Sequence, residues 1–239
     1  MKNFLTAQWE DLIMANYAVN PMILEPYLPS GVELDYYNGK TYVSLVGFMF
    51  SNTKIFQVPI PGLGTFEEVN LRFYVTRKDG NQVKRGVVFI NETVPYKLVA
   101  WLANCLYKEH YIAVPTRNSK KVESTTNEIE YFWQSKSRWN SLSVVVDSKT
   151  KPMVPGSFEE YIFEHYYGYT RLNSSKTDEY KVEHERWHIS EVLNYQIKCN
   201  FEEVYGKSFS FLNKCTPQNV IFAAGSKVAV KWKRTKLQS

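Results

Sequence analysis

The sequence lacks a long apolar run, and it has few cysteines. No stretch approaches the roughly 18 apolar residues of a membrane-spanning helix, and MKNFLTAQWEDLIM reaches acidic residues too early for a signal peptide. We therefore expect no membrane partner. The three cysteines, Cys105, Cys199 and Cys215, include no C-x-x-C pair. An odd number of widely spaced thiols is typical of a reducing compartment, so we predict a cytoplasmic protein.

Repeats, low-complexity segments and Pro/Ser-rich linkers are also absent. The 239 residues would allow two domains, but β-rich chains of this size often form one, and we predict a single domain over residues 1–239. The net charge of +5 is small for this length. The basic end of the chain, KVAVKWKRTKLQS, is more typical of a solvated tail than of a nucleic-acid interface, so we predict no nucleic-acid partner.

Aromatic residues are abundant, at 15% of the chain, which favours strands. Asn38-Gly39 separates VELDYY from KTYVSLVGFMF, a pattern that predicts a hairpin because both turn positions need positive φ. Asp79-Gly80 predicts a second hairpin, and further strand pairs should turn near residues 124–127 and at Gly206-Lys207. The fold class is therefore α+β, mainly β, with one strongly curved sheet or barrel.

Helices should interrupt the strands at three places. Asn20-Pro21 predicts a short helix that ends near Tyr27. An apolar stripe predicts a second helix over residues 95–107. Ser157 and Glu160 form a capping box that begins a third helix, which should carry Tyr161 and His165 one turn apart on the same face.

The stretch HERWH, residues 184–188, matches the H-E-x-x-H pattern of zinc peptidases. That pattern works on a helix, where positions i and i+4 reach one ion. The neighbours of HERWH are typical of a strand, in which the two imidazoles would lie roughly 13 Å apart. No third ligand stands at the usual spacing. We therefore predict no metal site and no cofactor, and we interpret the segment as a strand with surface or cavity polar groups.

The hairpin around Asp79-Gly80 carries the most chemistry. If residues whose numbers sum to about 159 face one another, one face is apolar and the other holds two sets of residues. These sets are Glu68, Asn70, Arg72 and Tyr74 on the first strand, opposite Arg85, Val87, Phe89 and Asn91 on the second. The polar face could meet solvent, or it could line a ligand cavity. In a cavity, Arg72 or Arg85 could hold a carboxylate and Glu68 could accept a proton.

The order of several motifs resembles the YqjF-like family of uncharacterised bacterial proteins. The motifs are ANYAVNPMILEPYLPSGVELDYYNGKTYVSLVGFMF, FEEVNLRFYV, RGVVFINETVP, LYKEHY, FEEYIFEHYYGYT, VEHERW and AAGSKVAV, and together they span most of the chain. That family in turn resembles acetoacetate decarboxylase. The resemblance implies a cone-shaped, mostly antiparallel β-barrel with flanking helices and an internal cavity, and by analogy a possible homo-oligomer.

Acetoacetate decarboxylase uses a Schiff-base lysine within a Pro-Lys-Lys sequence, which an arginine-glutamate pair precedes. The matching stretch here is Asn91-Glu92-Thr93-Val94-Pro95-Tyr96-Lys97, so tyrosine stands at the nucleophile's position and only Lys97 remains. Lys97 is a weak catalytic candidate, since a solvated lysine at a helix start is the simpler interpretation. Glu92 stands at the glutamate of the pair, and Glu67 or Glu68 matches a further active-site acid.

Three functions remain open at this point. The leading hypothesis is a protein that binds a small anionic or carbonyl-bearing molecule, with Glu68, Asn70, Arg72, Arg85, Glu92 and His165 as ligand-binding candidates. His165 is included because it should lie beside Tyr161 among several tyrosines, although it could equally be a packed histidine. The alternatives are a lyase that uses Lys97, and a non-catalytic structural protein whose interior is filled by its own aromatic side chains.

Overall fold

The computed structural model describes residues 2–136 and 138–238. Within them the strands are β1 (Asn3–Val19), β2 (Glu33–Leu34), β3 (Thr41–Ile55), β4 (Val58–Pro59), β5 (Phe66–Asp79), β6 (Gln82–Val94), β7 (Tyr111–Ala113), β8 (Thr116–Val122), β9 (Thr126–Ser135), β10 (Arg138–Pro152), β11 (Tyr167–Arg171), β12 (Lys176–His184), β13 (His188–Lys198) and β14 (Asn219–Gln238). The α-helices are α1 (Pro21–Leu24), α2 (Lys97–Tyr107), α3 (Phe158–Phe163) and α4 (Phe201–Tyr205), and 3-10 helices cover Glu25–Tyr27 and Lys207–Lys214. The fold is therefore mainly β, as predicted. No helix among these residues is long and apolar enough to cross a membrane.

All of these strands belong to one hydrogen-bonded sheet. The pairing runs β1-β3-β5-β6-β11-β12-β14 and returns from β14 to β1, so seven strands form a closed circuit. The strands β13, β10, β9 and β8 continue outward from β14. This circuit is compatible with the predicted cone-shaped barrel, and the barrel and the single domain both stay predictions.

Both faces of the sheet are covered, which explains why β5 is buried on both sides. Val69, Leu71, Phe73 and Val75 point into one apolar cluster, together with residues of β9, β10 and α4. On the opposite face, Phe66 and Tyr74 belong to a second cluster with Tyr161, Ile162 and Phe163 of α3. A strand that packs on both faces has no solvent side. The polar residues of β5 must therefore be satisfied inside the protein.

Capping residues near in the sequence correctly predicted where α1 and α3 begin. The Asn20 side chain accepts a hydrogen bond from the Met22 amide at the start of α1. Ser157 caps α3 by accepting from the Glu160 amide, while Glu160 accepts from Gly156. The helix ends before His165, yet the rings of Tyr161 and His165 still lie 5.5 Å apart. The predicted side-chain pair is thus present without a continuous helix.

Two of the predicted hairpins are wrong. Asn38 and Gly39 have the positive φ values expected of the turn, 50° and 75°, but only the Tyr37–Lys40 bridge closes it. The segment before the turn, β2, pairs with β5 and not with β3. At Gly206-Lys207 the chain is helical on both sides, because α4 precedes it and a 3-10 helix follows. The pairs β5–β6 and β8–β9 are confirmed.

Candidate functional site

The polar face of β5 opens into an internal cavity of about 150 Å³. Its walls are largely aromatic, with Phe48, Phe50, Phe66, Phe163 and Trp187 among the lining residues. The polar lining residues include Thr53, Glu68, Asn70, Arg72, Glu92, Tyr107, Glu109, Tyr111, His165, Tyr167, Tyr180 and His184. The interior is therefore not filled by its own aromatic side chains. A cavity of this size can hold a ring as large as benzene.

The register of β5 and β6 differs from the prediction in a way that matters for the site. Near the turn the paired residue numbers sum to 161, as in Phe73–Val88, and beyond a bulge they sum to 162, as in Asn70–Glu92. The extra residue shifts β6 by one position, which exchanges the two faces of the strand. Glu92 consequently lines the cavity. Asn91 points away from it and donates to the Val204 carbonyl at 2.8 Å.

Neighbouring glutamates on β5 also face opposite ways, which decides between Glu67 and Glu68. Glu67 accepts hydrogen bonds from Thr116 and Asn118 of β8, on the side away from the cavity. Glu68 lines the cavity and is 2% exposed. Only Glu68 is placed to contact a ligand.

Three buried carboxyl groups meet at one end of the cavity. Glu68 accepts from the Asn70 amide at 2.9 Å and from the Tyr111 hydroxyl at 3.0 Å. Burial raises the pKa of Glu68 to about 7, although these hydrogen bonds and the charge of Arg72 oppose the rise. Burial, together with repulsion from Glu109 and Glu68, raises the pKa of Glu92 well above its usual range. This end of the cavity can hold and release protons near neutral pH.

The third carboxyl group belongs to Glu109, in the loop after α2. It accepts from the Thr170 hydroxyl at 2.6 Å and from the Tyr180 hydroxyl at 2.8 Å. Burial raises its pKa to about 7 as well. Thr170 on β11 and Tyr180 on β12 thus hold Glu109 from the two strands that follow β6 in the circuit.

Arg72 is the one arginine that lines the cavity among the described residues. Its Nη2 atom lies 3.5 Å from the Met14 sulfur, which is a weak acceptor. Its guanidinium carbon lies 5.6 Å from the centre of the Tyr74 ring. The buried Nε atom has no hydrogen-bond partner within residues 2–136 and 138–238. A planar group with unused N–H donors is suited to bind a carboxylate or a carbonyl oxygen.

His165 lines the same cavity, and Asp35 fixes its ring. The His165 Nε2 atom lies 3.0 Å from Asp35 Oδ2, which also accepts from Arg85 Nε at 2.8 Å. Burial lowers the pKa of His165 to about 4, against the effect of the Asp35 hydrogen bond. Burial acts to raise the pKa of Asp35, but its bonds with His165 and Arg85 outweigh this and keep that pKa low. A neutral His165 that donates from Nε2 presents Nδ1 as an acceptor.

Arg85 is not placed as the ligand-binding prediction required. Its guanidinium is paired with Asp35 and stacks over the Tyr161 ring at 4.9 Å. It does not line the cavity. The structure therefore gives Arg85 a contact with the residue that orients His165, and Arg72 is the better ligand-binding candidate.

Lys97 lies outside the cavity, exposed at the first position of α2. We expect no Schiff base at Lys97, because a ligand in the cavity would not reach this amine. Borohydride treatment in the presence of acetoacetate or pyruvate should leave the intact mass unchanged. A single adduct that disappears in Lys97→Arg would contradict this expectation.

The HERWH segment is neither a helix nor one strand, so the interpretation as a continuous strand is wrong. His184 ends β12, His188 begins β13, and a short loop lies between them. His184 lines the cavity and stacks on Trp187 at 4.2 Å, whereas His188 is exposed. The two imidazoles therefore do not share the helix face that the zinc-peptidase pattern needs. The part of the segment predicted to supply cavity groups is His184.

Several site residues were missed from the sequence. Glu109, Tyr111 and Tyr180 come together because β7 pairs in parallel with β6, and because β11 bridges β6 to β12. These contacts join distant segments, so no periodic pattern predicts them. Asp35 follows β2, and its role depends on the unpredicted pairing of β2 with β5.

Comparison with known proteins identifies the family. The profile of DUF2071, described as an uncharacterized conserved protein, matches residues 6–227. This chain belongs to the DUF2071 family. A relative, the uncharacterized protein YqjF of Bacillus subtilis (strain 168), is 34% identical over 113 residues, or 47% of this chain. That match covers 45% of YqjF, so the chain aligns with less than half of the relative's length.

Solved structures relate this DUF2071 chain to acetoacetate decarboxylase-like enzymes by fold. One such enzyme from Sphingomonas wittichii RW1 matches with a TM-score of 0.68 at 12% identity, covering all of this chain and 95% of that one. The enduracididine biosynthesis enzyme MppR, complexed with the condensation product of pyruvate and imidazole 4-carboxaldehyde, matches with a TM-score of 0.69 at 11% identity, covering 100% and 91%. Identities this low show a shared fold and not a shared reaction.

Proposed function

We propose that this DUF2071 protein binds a small carboxylate- or carbonyl-bearing molecule in its internal cavity. The observation that carries the proposal is Arg72, whose guanidinium faces an aromatic-walled cavity and contacts a thioether and a ring, while its buried Nε atom has no partner among the described residues. Buried donors of this kind are normally paired. A ligand oxygen would supply the partner.

Two further features support the proposal. His165 lines the same cavity and its Nδ1 atom has no hydrogen-bond partner among the residues that the structure describes, so a hydroxyl or acid proton on the ligand could be accepted there. Among proteins of similar fold, MppR has been solved in complex with pyruvate, which is both a carboxylate and a ketone. The cysteines Cys105, Cys199 and Cys215 are free, and from this we infer action in the cytoplasm. By analogy with the resembling family we also propose a homo-oligomer. No nucleic-acid partner is proposed.

Replacing Arg72 with alanine tests the proposal. Removal of a charge-assisted hydrogen bond costs about 1.5–3 kcal/mol, so we expect Arg72→Ala to weaken binding of a keto acid by roughly 10- to 100-fold. Titration calorimetry with pyruvate, acetoacetate and 2-oxobutanoate measures this, and acetone serves as the matched ketone without a carboxylate.

The exposed residue Arg138 on β10 provides the control variant, because Arg138→Ala removes the same group far from the cavity-lining set. Thermal unfolding of each variant shows whether the fold is kept. The proposal is wrong if no keto acid binds at millimolar concentration, or if Arg72→Ala binds as well as Arg138→Ala does.

A further inference from the structure

The charged groups of the lining limit what can bind. Arg72 is the one arginine among the described lining residues, and its charge acts on Glu68. Glu68, Glu92 and Glu109 form the acidic end of the cavity, while His165 is held neutral by burial. A simple anion that paired with Arg72 would bring no further donor to these carboxyl groups. A ligand matched to both the arginine and the acidic end needs a positive group as well as a negative one.

Two buried acceptors at the acidic end lack donors. Glu92 Oε2 and Asn70 Oδ1 have no hydrogen-bond partner in the described part of the chain, and the two residues are 2% and 1% exposed. Asn70 and Glu92 are directly paired across β5 and β6, and both line the cavity. Buried acceptors are normally hydrogen-bonded, so these two atoms favour a ligand group with several donors. An ammonium group has three donors and no acceptor.

The walls near these acceptors suit a cation as well. Phe66 and Tyr111 line the cavity beside Glu68 and Glu92, and Phe89 lines it opposite Arg72. Aromatic ring faces attract ammonium groups, most strongly where water is excluded.

We propose that the ligand is a short zwitterion whose ammonium group sits between Asn70 and Glu92 while its carboxylate binds Arg72. This inference rests on the proposed function and names the ligand class for the same site. Asn70 and Arg72 are two residues apart on one strand face, so their Cα atoms are about 7 Å apart. The side-chain atoms set the length of ligand that fits, so a series of ω-amino acids with increasing separation of amine and carboxylate is the matched set of probes.

Calorimetric titration of the whole protein tests the inference with matched probes. The probes are 3-aminopropanoate, 4-aminobutanoate, 5-aminopentanoate and 6-aminohexanoate, with propanoate, butanoate, pentanoate and hexanoate as the same chains without the amine. We expect at least one ω-amino acid to bind 10-fold or more tightly than its matched carboxylate. We also expect the heat to depend on the buffer near pH 7, because an arriving ammonium group displaces a proton from the acidic end.

Glu92→Gln should remove this preference and the buffer dependence while butanoate binding is kept, since the Gln side chain has nearly the same shape without the charge. Glu191→Gln on the exposed side of β13 is the matched control and should behave as the unmodified protein does. Asn70→Ala provides a second test if Glu92→Gln does not fold, and it too should reduce the preference for the amine.

The outcomes separate the inference from the proposal on which it rests. If butanoate or a keto acid binds through Arg72 and the amine adds nothing, the zwitterion is wrong and the proposed function stands. If neither carboxylates nor ω-amino acids bind, both are wrong. If Glu92→Gln and Asn70→Ala each bind ω-amino acids as tightly as the unmodified protein does, the proposed position of the ammonium group is wrong.

Discussion

Replacing Gly225 with alanine should lower the free energy of unfolding by roughly 2–6 kcal/mol, from backbone strain of about 1–3 kcal/mol and steric overlap of about 1–3 kcal/mol. Gly225 lies on β14, opposite Glu10 of β1, with φ at +88°. A Cβ atom there would lie 2.0 Å from the Trp9 carbonyl oxygen. That atom is part of the backbone and cannot turn aside. The pair β1–β14 closes the circuit of strands, so the substitution should destabilise the whole sheet.

Gly39→Ala is the matched control for this experiment. Gly39 has a similar φ of +75°, but nothing lies within 4 Å of the position that a Cβ atom would take. It should therefore lose only the backbone strain of about 1–3 kcal/mol, without the added cost of steric overlap. Urea unfolding of both variants measures the difference. Equal losses would show that β1 does not approach β14 as closely as described.

The free energy of unfolding of Glu109→Gln, relative to that of the unmodified protein, should rise by about 3 kcal/mol as the pH goes from 5 to 8. Burial raises the pKa of Glu109 to about 7 from the ordinary value of 4.5. The folded protein therefore holds a proton that the unfolded chain has released, and stability falls as the pH passes from 4.5 to above 7. The glutamine variant has no such proton to lose. His165 opposes this trend in both proteins and cancels in the difference.

Chemical unfolding at pH 5, 6, 7 and 8 provides the measurement. The control is Glu191→Gln on the exposed side of β13, whose stability should follow that of the unmodified protein at each pH. A constant difference between Glu109→Gln and the unmodified protein would mean that Glu109 ionises alike in both states. A difference of opposite sign would mean that Thr170 and Tyr180 hold the carboxylate better than water does.

What could be predicted from the sequence was set by neighbours in the chain. Asn38-Gly39 adopts the expected turn, Ser157 caps α3, and the alternation in β5 separates Leu71 from Arg72. Each of these depends on a few adjacent residues. The prediction that Glu68, Asn70 and Arg72 share one face is confirmed, and that face lines a cavity.

The rest depended on contacts between distant segments. The turn at Asn38 closes only the Tyr37–Lys40 bridge, and β2 pairs with β5 instead of β3. No local signal in the sequence indicates this pairing. Glu109 reaches the site only because β7 lies in parallel beside β6. A carboxyl group in a loop is normally solvated, so its burial could not be expected from the sequence.

The single extra residue in β6 has a consequence for how this family could change its interior chemistry. Without the bulge at Ile90 the same sequence would pair Asn91 with Asn70, and an amide would replace an acid in the cavity without any substitution at the site. Relatives whose ladder lacks this bulge would then prefer ligands of different charge. The bulge, as much as residue identity, would set what each member recognises.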